Sequence, residues 1–195
     1  MKKPARIAPA KGKLGVLIPG MGAVATTFIA GAMMARRGQA APFGSLTQLG
    51  NIRLGKRTEN RQSLIRVLVR PARRDDHARG GWALFPDDAY AAARNAEVLT
   101  PEHLGLVKDE LSLIKPMPAV FFPEFVKRLR GENVKKETNK RELADAVRDD
   151  IRRFKRDNGV DRCVSVWCGS TEVHHEPTAV HASLSAFERG LEQSD

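Results

Sequence analysis

The stretch Leu14-Gly15-Val16-Leu17-Ile18-Pro19-Gly20-Met21-Gly22-Ala23-Val24-Ala25 decides the fold class. Its first five residues form a short apolar run bounded by glycine and proline, which suits a strand buried in a parallel sheet. Pro19, Gly20 and Gly22 then force a turn. Over residues 23–34 the chain is rich in Ala and Met with apolar positions all round, as a helix packed on a sheet requires. Arg36, Arg37 and Gly38 supply the cations and the glycine that close such a helix. The uncharged run of residues 14–35 follows Lys2, Lys3 and Arg6 and is long enough to cross a bilayer. Its Pro-Gly break and the pair Thr26 and Thr27 divide it into strand and helix. We therefore expect neither a secretory leader nor a membrane span, and a cytoplasmic protein.

Gly20 to Ala25 fits the pattern G-x-G-x-x-G/A directly after a strand and at the opening of a helix, the context in which that pattern holds a dinucleotide. Gly20 permits the tight turn, Gly22 lets the backbone approach a pyrophosphate, and Ala25 allows the helix to pack closely on the strand. The amides and positive dipole end of the helix would hold the phosphates. The plainer alternative is a glycine turn that only packs. One expected companion is missing: no acidic residue ends a second strand about 20 residues further on, where ribose recognition usually sits. Glu59 lies too far downstream.

Outward from this unit, residues 44–50 read as a second short strand, residues 51–62 as a polar, basic loop, and residues 63–69 as strand or helix alike. Pro86-Asp87-Asp88 begins a helix running through Arg94, with the carboxylates explained by capping and dipole. Thr100-Pro101-Glu102 begins another that extends to Ile114. Pro116 and Pro118 precede Ala119-Val120-Phe121-Phe122, a compact apolar run read as a core strand. Asn139, three residues before Glu142, opens a helix to about Arg156 whose apolar face is Leu143, Val147, Ile151 and Phe154. Residues 162–168 form the clearest later strand and residues 179–191 the last helix. Strands alternating with helices predict an α/β fold with a mostly parallel sheet. Ligands in such sheets bind beyond the carboxyl ends of the strands.

The 195 residues suffice for one domain with a sizeable core, and 42% hydrophobic with 29% charged residues is the mixture of a soluble globular domain. Residues 1–11 read as a flexible basic tail and residues 12–195 as the domain. The net charge of +10 invites a nucleic-acid reading, but the basic residues are scattered and form no aromatic-studded stripe, so no nucleic-acid partner is expected. Cys163 and Cys168 stand an odd number of positions apart, which would point them to opposite faces of a strand as reduced thiols. His174, His175 and His181 with Glu172 and Glu176 lack a recognised ligand spacing, and no metal is assigned.

Five segments carry a more specific likeness: GKLGVLIPGMGAVATT (residues 12–27), GSLTQLGNIRLGKRTENR (44–61), FPDDAYAAA (85–93), KPMPAVFFPEFVKRL (115–129) and VWCGSTEV (166–173). In this order they resemble the N-terminal part of the bacterial and archaeal branch of myo-inositol-1-phosphate synthases. The resemblance implies a Rossmann-type NAD-binding domain, cut short before the catalytic and tetramerisation domain. The family's enzymes are isomerases of inositol and phospholipid biosynthesis that convert glucose 6-phosphate to inositol 3-phosphate. A transient oxidation at C5, enolisation and aldol closure regenerate the cofactor. By the same resemblance Gly20, Met21, Gly22, Ala23 and Val24 line the pyrophosphate, Ala119 and Val120 lie near the nucleotide, and Gly169, Ser170 and Thr171 approach from a neighbouring strand end. No catalytic residue is carried over, because the lysines and aspartates of proton transfer and phosphate binding belong to the missing half. Glucose 6-phosphate is thus a partner only if that half is supplied, and the family's homotetramer forms largely through it. A catalytically dead dinucleotide-binding scaffold is the rival reading, and a basic nucleic-acid binder a further one. Relatives lead a hydrophobic strand into GGWD, whereas this chain has Arg79-Gly80-Gly81-Trp82-Ala83. Ala83 in place of the aspartate, and a basic residue in the strand, count against nucleotide affinity and against the strand itself.

Overall fold

The computed structural model describes residues 12–44, 50–59, 61–64, 77–169 and 173–194. The tail 1–11, most of the second strand read at 44–50, residues 65–69 of the ambiguous segment, and Ser170 and Thr171 lie outside the described residues. Strand β1 (Leu14–Pro19) leads into helix α1 (Ala23–Arg36), as the opening stretch predicts. A small antiparallel hairpin pairs β2 (Asn51–Arg53), inside the segment read as a loop, with β3 (Gln62–Leu64), which runs from its end into the segment read as strand or helix alike. Its strands are only three residues each and largely exposed, so no periodicity of burial marks them.

Strand β4 (His77–Ala83) is followed by α2 (Ala89–Ala96), α3 (Pro101–Ser112) and β5 (Met117–Pro118). Helix α4 (Lys140–Asn158), β6 (Arg162–Ser165) and α5 (Leu184–Gln193) complete the order. The four long-range strands form one sheet in the order β5-β4-β1-β6, parallel throughout. In chain order these are the third, second, first and fourth parallel strands, the order of one half of a doubly wound dinucleotide-binding sheet and the start of the next. The order reverses between β1 and β6, and it is beyond the carboxyl ends at such a switch point that sheets of this kind bind their ligands.

Alternation along β1 sends Val16 and Ile18 to one face and Leu17 to the other. On the first face α1, α2 and α3 bury Ile29, Met33, Ala89, Leu104, Val107 and Leu111. On the second, α4 packs Phe154 against Leu17, Ala78 and Trp82. Cys168 joins the first core and Cys163 the second, so the two thiols do face opposite sides. No described helix is long and apolar enough to cross a membrane.

Several boundaries differ from the sequence reading. Strand β4 forms although Arg79 sits within it, because a strand that pairs with β1 along six residues gains more than one half-buried guanidinium costs. Burial, and next the charge of Arg36, push the Arg79 guanidinium below its ordinary value. The strand read at residues 119–122 is two residues earlier, at Met117–Pro118, and Ala119 makes only an isolated bridge to Val134. The apolar Phe121 and Phe122 line a groove instead of a ladder. Regular pairing of β6 stops at Ser165, although Val166 N donates to Leu17 O at 2.9 Å and Cys168 N to Pro19 O at 2.8 Å. The last helix starts at Leu184, after a 3₁₀ turn at Ala179–His181, because Ser183 caps it anew.

Candidate dinucleotide site

The glycine turn lies at the switch point and is held from two sides. Gly20 N and Met21 N both donate to Trp82 O, at 2.9 and 3.3 Å, tying the turn to the end of β4. Gly20 has φ +87°, and a Cβ there would lie 2.5 Å from Cys168 O and from Gly169 N and Cα. Glycine is therefore demanded twice, by the left-handed backbone and by the segment leaving β6. Two residues that the sequence reading placed in the site, Gly20 and Gly169, are thus brought into contact across 149 positions, 169 minus 20.

Gly22 is the N-cap of α1, and no side chain closes that helix start. A Cβ on Gly22 would meet nothing within 4 Å, and Gly22, Ala23 and Val24 are exposed. Thr26 N donates to Gly22 O at 3.0 Å, so the amides before it point out of the helix without an intrahelical partner. No acidic residue occupies the first turn to compete for the positive dipole end. Met21, by contrast, is buried at 4% exposure and packs into the α1-side core, so it supports the turn and offers no side chain to a ligand. Open backbone amides at a helix start of this kind are the arrangement that anions such as phosphates favour.

Ala119 is committed by its backbone: its N–H donates to Asn133 O and its carbonyl accepts from Lys135 N, each at 2.9 Å. Val120 is exposed beside it and lines a small apolar hollow with Phe122 and Phe125. A larger groove of about 620 Å³ opens between the segments after β4 and β5, lined by Phe85, Pro86, Phe121, Pro123 and Arg130 among others. It lies on the side of the sheet where the second and third strands end, the side that takes the adenosine in sheets of this order.

The sequence reading missed the support beneath the turn. Trp82 Nε1 donates to Asp150 Oδ2 at 2.8 Å, Lys135 Nζ lies 2.7 Å from the same oxygen, and Arg153 pairs with Oδ1. Asp150 is 3% exposed and the Lys135 side chain 8%. Burial would raise the Asp150 carboxyl, but the hydrogen bonds from Lys135 and Trp82 and the charges of Lys135 and Arg153 outweigh it and hold it below its ordinary range. The indole of Trp82 is thus anchored from α4 while its carbonyl anchors the glycine turn. A signal existed: Asp150 falls on the same helical face as Leu143, Val147 and Phe154, where a carboxylate is costly unless paired. Asp88 behaves as expected, its Oδ1 accepting from Ala91 N at 2.8 Å as the α2 cap, and His174 pairs with Glu176 at 3.1 Å on the surface.

Comparison with known proteins gives the same reading. Residues 14–195 match the NAD-binding family model described as myo-inositol-1-phosphate synthase. The chain is 44% identical over 190 residues to inositol-3-phosphate synthase 1 of Bacteroides thetaiotaomicron, covering 97% of this chain and 44% of that protein. It is 33% identical to inositol-3-phosphate synthase of Brassica napus, over 82% of this chain and 34% of the relative. The crystal structure of inositol-3-phosphate synthase from Caenorhabditis elegans superposes with a TM-score of 0.83 at 23% identity, over 94% of this chain and 40% of that one, which shows the shared fold. The chain thus spans less than half the length of the relatives it matches. With its parallel sheet, open helix start and matched NAD-binding model, the chain belongs to the myo-inositol-1-phosphate synthase family.

Proposed function

We propose that this chain is the NAD-holding portion of an inositol-3-phosphate synthase and that it does not complete the reaction alone. The observation that carries the reading is the open N-terminus of α1, seated at the switch point against Gly169. The amides of Gly22, Ala23 and Val24 would hold the diphosphate, and Gly20 would let the backbone of Gly169 close beside it. By the family resemblance Ser170 and Thr171 would also contact the dinucleotide, and Ala119 and Val120 would lie near the nucleotide. The groove of about 620 Å³ beyond β4 and β5 would take the adenosine half. NAD, when bound, would supply a reversible hydride acceptor to the reaction on glucose 6-phosphate. This chain's residues bind and orient it. Proton transfer and recognition of the sugar phosphate fall to residues beyond this chain, as does assembly of the family's tetramer. On this reading residues 12–195 act as one domain, with residues 1–11 as a basic tail.

Calorimetry of the purified chain with NAD tests the binding clause, and the expected result is saturable 1:1 binding. An assay for inositol phosphate from glucose 6-phosphate tests the second clause. The chain alone is expected to give no product, whereas turnover by the chain alone would show that its own residues carry the chemistry.

A further inference from the structure

The adenosine side of the site differs from what a strict NAD site requires. In sheets of this strand order the residue at the end of the second strand stands beside the adenine ribose. An acid there hydrogen-bonds the 2′-hydroxyl and turns away a 2′-phosphate. Strand β4 is the second parallel strand in chain order and lies directly beside β1. Its register pairs Pro19 with Trp82, so Ala83 is the first residue past the level at which β1 gives way to the glycine turn. That position carries a methyl group. The methyl packs on the α1-side core, and the Ala83 carbonyl accepts from Asn133 Nδ2 at 2.9 Å, so the residue is pinned and presents no polar group of its side chain to a ribose.

The groove beyond Ala83 has aromatic and proline walls and both a cation and an anion on its lining, Arg130 and Glu132. Arg130 is braced there by hydrogen bonds from Nη1 to Lys127 O at 3.1 Å and Leu129 O at 2.7 Å. The 195 residues carry a net charge of +10, and a positive net charge favours the more anionic of two ligands. Discrimination between two cofactors that differ by one phosphate needs a repulsive element as well as an attractive one. With Ala83 in the decisive position, the strand end offers no carboxylate to repel a 2′-phosphate.

Building on the cofactor reading above, we infer that this site accepts the 2′-phosphorylated dinucleotide NADP about as well as NAD, with Ala83 as the residue that relaxes the choice. The test is calorimetry of the full 195-residue chain with NAD and NADP in parallel, repeated on Ala83→Asp, with a thermal melt of each protein to report folding. The expected result is a wild-type Kd ratio, NADP over NAD, within about tenfold, rising to about a hundredfold or more in Ala83→Asp, as a like-charge contact of several kcal/mol requires. A wild-type preference for NAD beyond about tenfold overturns the inference, and it does so even if the variant fails to fold. A folded Ala83→Asp protein with an unchanged ratio overturns the assignment to Ala83. Absence of binding by either dinucleotide overturns the cofactor reading itself and this inference with it, whereas NAD binding without NADP binding overturns this inference alone.

Discussion

Five α-helices are described, and they begin in two ways. Four are closed by their own side chains: Asp88 accepts from Ala91 N at 2.8 Å, Thr100 from His103 N at 3.2 Å, Asn139 from Glu142 N at 2.8 Å and Ser183 from Ala186 N at 3.1 Å. Helix α1 begins at Gly22 with no side-chain cap and no acid in its first turn. The first four starts are satisfied locally and do nothing further. The start of α1 forgoes a side-chain cap, worth roughly a few tenths of a kcal/mol over glycine, and leaves its amides to an anion from outside. What holds it in place comes from elsewhere in the fold: the Trp82 carbonyl on one side, the Cys168–Gly169 backbone on the other, and Asp150 beneath the indole. An unfinished helix end is kept rigid by tertiary contacts, which is how a backbone site can be preorganised without side chains.

The largest expected effect tests that external support. Asp150→Ala leaves the Lys135 ammonium buried without its counter-charge and should cost about 3–5 kcal/mol in denaturant unfolding. Trp82 fluorescence should change with it, and a loss below about 1 kcal/mol would mean that the Asp150 network is not what holds β4. The same carboxyl gives a pH signature. Because folding lowers its pKa, its stabilisation is present above the ordinary aspartate value of about 3.9 and disappears as pH falls through that value and below. The melting temperature of the native chain should therefore drop on acidification below about pH 4, and Asp150→Asn should flatten that limb.

Gly22→Asp is the direct inversion of the comparison, turning the open start into a capped one. Gly22 has φ −97°, so aspartate meets no backbone strain, and the added Cβ meets nothing within 4 Å. Stability should rise by roughly a few tenths of a kcal/mol in a thermal melt, since glycine is itself a tolerated N-cap. NAD affinity should fall by about a hundredfold in calorimetry, as a carboxylate takes the place of the phosphate. Unaltered affinity would remove α1 from the site.

The smallest effect belongs to the ordinary helix starts. Asn139→Ala should cost about 1 kcal/mol of stability and leave NAD affinity as it was, because its cap serves α4 alone. A matching loss of affinity would show that the capped and uncapped ends are coupled through α4.

How much of this was legible depended on range. The β1-turn-α1 unit, the Asn139 and Thr100 caps and the opposed faces of Cys163 and Cys168 were readable, because apolar runs, periodicity and capping act over a few residues. The hairpin of β2 and β3 was not, since three-residue exposed strands carry no burial pattern. Phe121 and Phe122 look like a buried strand in sequence, but Asn133 and Lys135 pair two residues before Phe121, at Ala119.

By itself the sequence determined the α/β class, the glycine turn between the first strand and helix, and the likeness to the family. Only the tertiary structure decided that β4 lies beside β1 despite Arg79, that Gly20 touches Gly169, and that Asp150 of α4 meets the Trp82 indole on the face away from α1. The reason is physical: local signals select the conformation of a segment, whereas neighbours in a sheet are selected by which strands bury and pair best together, and that choice is made by the whole chain at once.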